Sequence, residues 1–186
     1  MNEIIKPSAI LLIITAVAAM LLGVVSETTK EAIAAQSAKT EQAAMEAVLP
    51  GEGLEFETLL DTANGDAPDG TISKVSKATA NGELFGYVIT TNPSGFSGAV
   101  VTMVGIDAEG VITGLRVLSH AETPGLGALA TDPSFYEQFA GKSGKVAVTK
   151  DGGEIQAITS ATITSRAVSS GATEALDWIA ANGGAN

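Results

Sequence analysis

The sequence contains no cysteine, and this absence excludes several kinds of redox chemistry. A chain without thiols has no disulfide, no thiolate nucleophile, no iron–sulfur ligand and no cysteine-based zinc site. Histidine is almost as scarce: the single His120 excludes a histidine-rich metal centre and gives general-base catalysis little support. We therefore expect no metal site and no catalytic residue, and any redox activity must use a bound cofactor.

Positive charge and aromatic side chains are also scarce. The 186 residues include 10 Lys or Arg and 21 Asp or Glu, which gives a formal net charge of −11. Such an acidic surface repels polyanions, so nucleic acid is not expected as a partner. With only five Phe, two Tyr and one Trp, most aromatic rings must serve the core, and the others are candidates for ring contacts with a ligand.

The sequence does have one long apolar segment near its start. Residues 9–25 carry no charge and lie between Lys6 and Glu27. Their number is at the lower end for a transmembrane helix, yet it exceeds the apolar region of a cleavable signal peptide. The alternative is a cleaved signal peptide with its cleavage site at residues 32–34. That site lies too far beyond the apolar segment and follows several charged residues. We therefore predict an uncleaved, single-pass membrane anchor over residues 1–26.

The rest of the chain predicts a stalk followed by one α+β domain. Residues 27–50 are rich in Ala and Glu and have no Gly or Pro before Pro50, which is typical of a helix. Over residues 51–186, short β-branched runs predict an antiparallel sheet, with a hairpin turn at residues 107–110. Flanking helices are predicted at residues 132–139, which start with an Asp cap and Pro, and along residues 168–179, where apolar residues recur at helical spacing.

A hydroxyl-rich segment, residues 158–166 (ITSATITSR), precedes the last predicted helix. One interpretation is structural: Thr164 or Ser165 caps the helix by accepting from its first amides. The other is functional, because free amides at a helix N-terminus bind phosphate and Arg166 would add a donor. The two interpretations are compatible. Four hydroxyl groups are more than capping needs: Thr159, Ser160, Thr162 and Thr164.

The same segment resembles the flavinylation motif Ser/Thr-Gly-Ala-Thr-x-Thr-Ser. That motif belongs to the FMN-binding domain of the G subunit of the Rnf electron-transport complex and of the C subunit of the sodium-pumping NADH:quinone reductase. Residues 95–98 (GFSG) and 120–127 (HAETPGLG) are similar to two further segments of this family, in the same order. The resemblance covers nearly the whole chain. The short length of the chain favours the Rnf subunit over its longer quinone-reductase relative.

The resemblance implies that FMN is attached covalently through its phosphate to the hydroxyl of Thr162, with Thr164 as the second candidate. Ser160 stands where the family motif usually has Gly. Residues 170–173 (SGAT) also spell the short motif, but they lie inside the predicted helix and lack the following x-Thr-Ser. Because no His or Cys lies nearby to activate the hydroxyl, self-modification is not expected, and the resemblance implies an external flavin transferase.

Residues 123–125 (TPG) are a turn by themselves, since Pro fixes φ and Gly permits a positive φ. As a plain surface loop this turn would have no role in a site. As part of the family segment, Gly125 and Gly127 would let the backbone approach the flavin ring. Leu126 would cover one face of that ring, and Glu122 would lie near a polar edge. The expected cofactor-binding residues are Glu122, Thr123, Gly125, Leu126, Gly127, Ser160, Ala161, Thr162, Thr164, Ser165 and Arg166.

The resemblance also implies a function. The chain would be a membrane-anchored flavoprotein that relays single electrons within an ion-translocating ferredoxin:NAD oxidoreductase, with no turnover alone. Its partners would be the other membrane and peripheral subunits of the Rnf complex, and its FMN domain would lie on the extracytoplasmic side of the cell membrane. Two alternatives stay open: a C-type subunit of a sodium-pumping NADH:quinone reductase, and an anchored, non-redox module that binds a phosphate ligand.

Overall fold

The computed structural model describes residues 2–67 and 69–183, without the side chains of residues 2–7, 9, 24–27, 30–35 and 183. The chain divides into two compact units between Gln42 and Ala43. The second unit therefore begins before Gly51, the expected start of the α+β domain.

Helix α1 spans Asn2–Val48 and unites the predicted anchor and stalk in one continuous helix. Ala, Leu and Glu are strong helix formers, and helix-breaking Pro50 lies just beyond its end. In the part of the chain that the structure describes, no helix meets the length and apolarity needed to cross a membrane. Residues 9–25 are the segment predicted to cross the membrane. The structure describes this segment only in part, because the side chains of Ala9, Val24 and Val25 are not described.

The second unit is built on five antiparallel strands that follow one another in chain order. The predicted antiparallel sheet is confirmed, and the hairpin turn at residues 107–110 joins its last two strands, with Gly110 at a φ of +80°. The strands are β1 (Leu54–Asp61), β2 (Ile72–Ala80), β3 (Glu83–Thr91), β4 (Val101–Asp107) and β5 (Ile112–Ser119).

Each face of the sheet packs against a cluster of buried residues. Side chains alternate between the two faces along each strand, so neighbouring residues enter different clusters. On β4, Val104 and Ile106 point into the main core, whereas Met103 points into a second, smaller cluster. The main core also contains helix α3, which spans Thr162–Trp178. The smaller cluster contains the end of α1, through Met45, Val48 and Leu49.

The predicted flanking helices are both present. Helix α2 (Pro133–Tyr136) starts after Asp132, whose side chain accepts from the Ser134 N–H at 2.9 Å, and a 3₁₀ turn continues it to Phe139. The apolar residues predicted to form the buried face of the last helix are buried, as expected from their spacing. They are Val168, Ala172, Ala175, Leu176 and Ile179.

Candidate functional site

The two hydroxyls expected to cap helix α3 do not cap it. Thr164 Oγ1 donates to Glu122 Oε2 at 2.7 Å. Ser165 Oγ accepts from the Ile158 N–H and donates to the Ala161 carbonyl, both at 2.9 Å. The helix begins at Thr162, so both side chains already lie within its first turn, beyond the N-cap position from which a hydroxyl reaches the first amides. The capping interpretation was therefore wrong.

The residue two positions before the start of α3 has an unusual backbone conformation. Ser160 has a φ of +63°, in the left-handed region that Gly adopts freely and other residues rarely enter. This gives a physical reason for Gly at the corresponding position of the family motif. With Ser the turn carries strain of about 1 kcal/mol.

A cavity of about 290 Å³ opens at this turn, and three distant segments of the chain form its walls. They are the segments that stand out in the sequence at residues 95–98, 120–127 and 158–166. The lining residues are Phe96, Glu122, Thr123, Leu126, Gly127, Ser160, Ala161, Thr162, Ile163 and Thr164.

Glu122 joins these three segments. Its side chain is only 6% exposed, and Oε1 accepts from the N–H groups of Phe96 at 2.8 Å and Ser97 at 2.9 Å. Its other oxygen accepts from Thr164, as described above. A Cβ at Gly95 would lie 2.5 Å from Glu122 Oε1, and one at Gly127 would collide with Oε2. These two glycines therefore leave the space that the carboxylate occupies.

The surroundings of Glu122 favour its charged form. Burial alone raises the pKa of this carboxyl, but hydrogen bonds from the Ser97 N–H, the Thr164 hydroxyl and the Phe96 N–H outweigh burial. The nearby His120 acts in the same direction, and the pKa of Glu122 lies below its ordinary value. His120 itself accepts the Glu122 N–H on Nδ1 at 3.2 Å, so it helps to orient this segment. The cavity thus has a fixed negative charge in its wall.

A lysine that was not predicted as a site residue lies beside Thr162. Lys150 Nζ donates to Thr162 Oγ1 at 3.3 Å. It belongs to a 3₁₀ turn, Thr149–Asp151, which precedes the hydroxyl-rich segment in the chain. No motif marks Lys150 in the sequence, so only the tertiary structure reveals its position.

Arg166, which was expected to contact phosphate, is engaged elsewhere. Its Nε and a terminal nitrogen donate to the two carboxylate oxygens of Asp151, both at 2.6 Å. The Arg166 guanidinium lowers the pKa of Asp151, and Asp151 raises that of Arg166. Arg166 does not line the cavity. The structure therefore places this arginine in an ion pair beside the site.

Two other expected residues lie next to the cavity without lining it. Gly125 has a φ of +75°, as predicted for the Thr-Pro-Gly turn, but a Cβ there would meet no atom within 4 Å. Gly is therefore favoured at this position by the positive φ and not by a lack of space for a side chain. Ser165 is buried beneath the turn, as its hydrogen bonds show.

The aromatic residues divide as the composition suggests. Phe96 lines the cavity and is 71% exposed, so it is free to contact a ligand rather than serve the core. Tyr87 and Phe135 are buried in the main core. Phe96 could be found from the sequence through its place in residues 95–98.

The second copy of the short motif lies inside a helix, and its threonine hydroxyl is engaged in hydrogen bonds. Thr173 lies inside α3, where its hydroxyl donates to the carbonyls of Val146 at 2.9 Å and Ser169 at 3.0 Å. The same oxygen accepts from the Val146 N–H at 3.0 Å. The expected intrahelical position of Thr173 is confirmed. Thr162, in contrast, is half-buried at the mouth of the cavity.

Comparison with known proteins identifies the family. The G subunit of an ion-translocating oxidoreductase complex from Methanosarcina acetivorans is 34% identical over 185 residues, which cover 98% of this chain and 98% of the relative. This chain belongs to that G-subunit family. A second G subunit, of the Na⁺-translocating ferredoxin:NAD⁺ oxidoreductase complex of Acetobacterium woodii, is 39% identical over 89% of this chain and 86% of its own length.

The family of the FMN-binding domain matches residues 95–177, a range that includes every residue lining the cavity. The resemblance to the G-subunit family inferred from three short motifs is thereby confirmed. Among solved structures, the C subunit of the Na⁺-translocating NADH-quinone reductase of Parabacteroides distasonis is similar, with a TM-score of 0.48 and 27% identity. That similarity covers 57% of this chain and 60% of the other.

Proposed function

We propose that this chain relays single electrons through FMN bound covalently to Thr162, as a membrane-anchored part of an ion-translocating ferredoxin:NAD oxidoreductase complex. One observation carries the proposal. The Thr162 hydroxyl lies at the start of a helix and at the mouth of a cavity whose walls are the three segments shared with FMN-binding domains. The names of the G-subunit relatives supply the complex and its ion-translocating, electron-transferring activity.

The residues around the cavity fit FMN. Phe96, Leu126 and Ile163 present exposed apolar surface that suits a flat ring. The start of α3 suits a phosphate, because its first amides have no partner within the helix and carry the positive end of the helix dipole. The cavity volume of about 290 Å³ is at the lower end of the range for ligand sites.

Attachment requires an activated flavin, since a threonine hydroxyl is a weak nucleophile without a base. A flavin dinucleotide is a suitable donor. Thr162 Oγ1 bonds to the phosphorus of the FMN part, the hydroxyl proton passes to a base of the flavin transferase, and the pyrophosphate bond breaks to release a nucleoside monophosphate. Thr162 is the better acceptor than Thr164, whose hydroxyl already donates to the buried Glu122 carboxylate.

Bound FMN supplies the one-electron chemistry that the side chains of this protein lack. The protein's own contribution is to bind and orient. Glu122 fixes the relative positions of the loop at residues 95–98 and helix α3. Leu126 and Phe96 cover the cavity, and no proton transfer from a side chain is needed when electrons pass singly.

The membrane anchor and its orientation complete the proposal. In α1, the large apolar side chains described between Ile10 and Leu22 are each more than half exposed, which is suited to lipid or to partner helices. We assign residues 1–26 to a single-pass anchor, residues 27–50 to a stalk and residues 51–186 to the FMN-binding domain. The family resemblance favours the extracytoplasmic side for that domain.

The first prediction concerns the attachment residue. The full chain, purified from a host that expresses a flavin transferase, should show a fluorescent band under ultraviolet light after denaturation, and peptide mass spectrometry should place the flavin on Thr162. Thr162→Ala should lose the flavin entirely, and its thermal unfolding should match that of the unsubstituted chain without flavin, because the half-buried methyl and hydroxyl contribute little packing.

Thr173→Ala is the matched control, since it removes the hydroxyl of the second motif copy and should keep full flavin occupancy. Flavin mass on Thr164 or Thr173 would contradict the assignment. A colourless denatured protein with reversibly bound flavin would support the noncovalent phosphate-binding alternative instead.

A further inference from the structure

We infer that Lys150 is the cation that pairs with the phosphodiester on Thr162, and that the Asp151–Arg166 ion pair keeps Lys150 free for this role. The inference rests on the proposed function and deepens it by naming the groups that hold the phosphate. It also changes the role of Arg166 from a phosphate ligand to a residue that occupies a competing carboxylate.

The contact between Lys150 and Thr162 is the starting point. Lys150 Nζ lies 3.3 Å from Thr162 Oγ1, the oxygen that becomes the ester oxygen. The two free oxygens of the diester are carried by the phosphorus bonded to that atom. A flexible lysine ammonium already within hydrogen-bond distance of the ester oxygen can therefore reach a free oxygen by a small rotation.

Asp151 is the group that could compete for Lys150. Asp151 follows Lys150 directly in the chain. The nearby Lys145 and Lys150 act with Arg166 to keep the pKa of Asp151 low. Arg166 lies four residues after Thr162 on α3, and residues at this spacing share one face of a helix. Its guanidinium engages both oxygens of Asp151, and such a two-pronged pair is stronger than a single lysine contact. Arg166 thus satisfies the Asp151 carboxylate and leaves Lys150 available.

The charges of these groups match a diester. Lys150 and Arg166 are cationic, Asp151 is anionic and Lys145 also lies near Asp151, so the cluster has an excess of positive charge. Attachment leaves the FMN phosphate with about one negative charge, which this group neutralises. The chain as a whole is acidic, with a net charge of −11, and offers a phosphate little attraction outside this cluster.

The helix also separates the cation from the buried anion. Residues two apart on a helix do not face each other. Accordingly, Thr162 faces Lys150 whereas Thr164 faces Glu122. A phosphate on Thr162 therefore meets a cation, and one on Thr164 would meet a carboxylate.

The test compares Lys150→Gln with Lys145→Gln in the full chain. Both substitutions remove one positive charge from the same stretch of chain, but the hydrogen bond to Thr162 belongs to Lys150. Each protein is prepared with and without the flavin transferase, and the rise in Tm on flavin attachment and the ³¹P resonance of the ester are measured. We expect Lys150→Gln to lose half or more of the Tm rise and to shift the resonance, and Lys145→Gln to match the unsubstituted chain. A flavinylated Lys150→Gln with an unchanged Tm rise and resonance overturns the inference alone.

Arg166→Gln tests the second part. It frees Asp151 to pair with Lys150, so it should reduce the Tm rise as Lys150→Gln does. The double variant Asp151→Asn/Arg166→Gln should restore it, because the competing carboxylate is gone. If the double variant stays low, Arg166 contacts the phosphate itself and the inference is wrong. An unsubstituted chain without covalent flavin overturns the proposed function, and this inference with it.

Discussion

At the scale of single residues, Glu122 determines the geometry of the site. Few carboxylates are buried in proteins unless hydrogen bonds satisfy them. Here both oxygens are used, by two backbone N–H groups and one hydroxyl. The carboxylate therefore fixes the loop at residues 95–98 against helix α3, and it does so in its charged form.

The pH dependence of stability follows from this arrangement. Because the pKa of Glu122 is lowered in the folded state, its ionised form stabilises the fold above about pH 4.5, its ordinary value. That stabilisation is lost as the pH falls through the lowered pKa. Glu122→Gln should reduce the free energy of unfolding by about 2 kcal/mol at pH 7, since hydrogen bonds to a charged acceptor are lost.

The measurement is urea denaturation at pH 7 and at pH 3. The difference between Glu122→Gln and the unsubstituted protein should shrink at pH 3, which lies below the ordinary pKa of 4.5, because the carboxyl of the unfolded chain is then largely protonated. Glu109→Gln, at the exposed turn between β4 and β5, is the control and should have little effect. An equal loss of stability at both pH values would show that the charge is unimportant.

Ser160 gives a second prediction at this scale. Its φ of +63° suits Gly, tolerates Ser with strain and opposes a β-branched residue. Ser160→Val should therefore lower the free energy of unfolding by about 2 kcal/mol and reduce flavin occupancy, because the turn presents Thr162. Ser160→Gly should keep the flavin occupancy and raise the free energy of unfolding by up to about 1 kcal/mol, because Gly adopts this φ without strain. Equal stability of the two variants would argue against strain at this residue.

At the scale of secondary-structure elements, the end of helix α1 is seated on glycines of the sheet. A Cβ at Gly105 on β4 would collide with the Val48 carbonyl, and one at Gly114 on β5 would lie 2.9 Å from the same oxygen. The Thr113 hydroxyl donates to that carbonyl at 2.5 Å. The last turn of α1, which ends the proposed stalk, is therefore packed against strands β4 and β5 of the second unit.

Gly105→Ala should consequently destabilise the second unit by about 3 kcal/mol, because the backbone of α1 must shift to admit the methyl group. Thr113→Val should cost less, about 1 kcal/mol, since it removes one hydrogen bond and adds little volume. Thermal unfolding followed by circular dichroism measures both. A Gly105→Ala protein as stable as the unsubstituted chain would mean that α1 is not held at this position.

At the scale of the whole molecule, the protein is consistent with an electron-carrying subunit of an oxidoreductase complex. Its one histidine orients a loop beside the cavity. The relatives in the G-subunit family are parts of larger complexes. Electron donor and acceptor sites are thus expected on other members of the complex.

The isolated full chain should accept electrons from a strong chemical reductant, with bleaching of the flavin absorbance, yet show no steady turnover of reduced ferredoxin with NAD⁺. The physical reason is that one flavin without substrate sites can be reduced but does not bind the second reactant. Spectrophotometric assays in detergent measure both quantities. Steady turnover by the isolated chain would contradict the relay role.

Much of the fold could be predicted from the sequence because its signals are local. The turn at residues 107–110, the Asp-Pro start of α2 and the apolar spacing of α3 each depend on neighbouring residues. The site could be found only as three separate segments, since their motifs are also local. The N-cap prediction failed because α3 begins at Thr162, which places Thr164 and Ser165 inside its first turn, where the Thr164 hydroxyl donates to the distant Glu122.

The sequence by itself therefore determined most of the elements and the order of the motifs, and the family resemblance implied Thr162 as the attachment residue. Only the tertiary structure decided which polar and charged groups meet: Glu122 with Thr164, Arg166 with Asp151, and Lys150 with Thr162. Local backbone preferences and side-chain periodicity are properties of neighbouring residues and can be seen in the sequence. Hydrogen bonds and ion pairs between distant residues depend on how sheet and helix pack, and that packing brings each pair within about 3 Å.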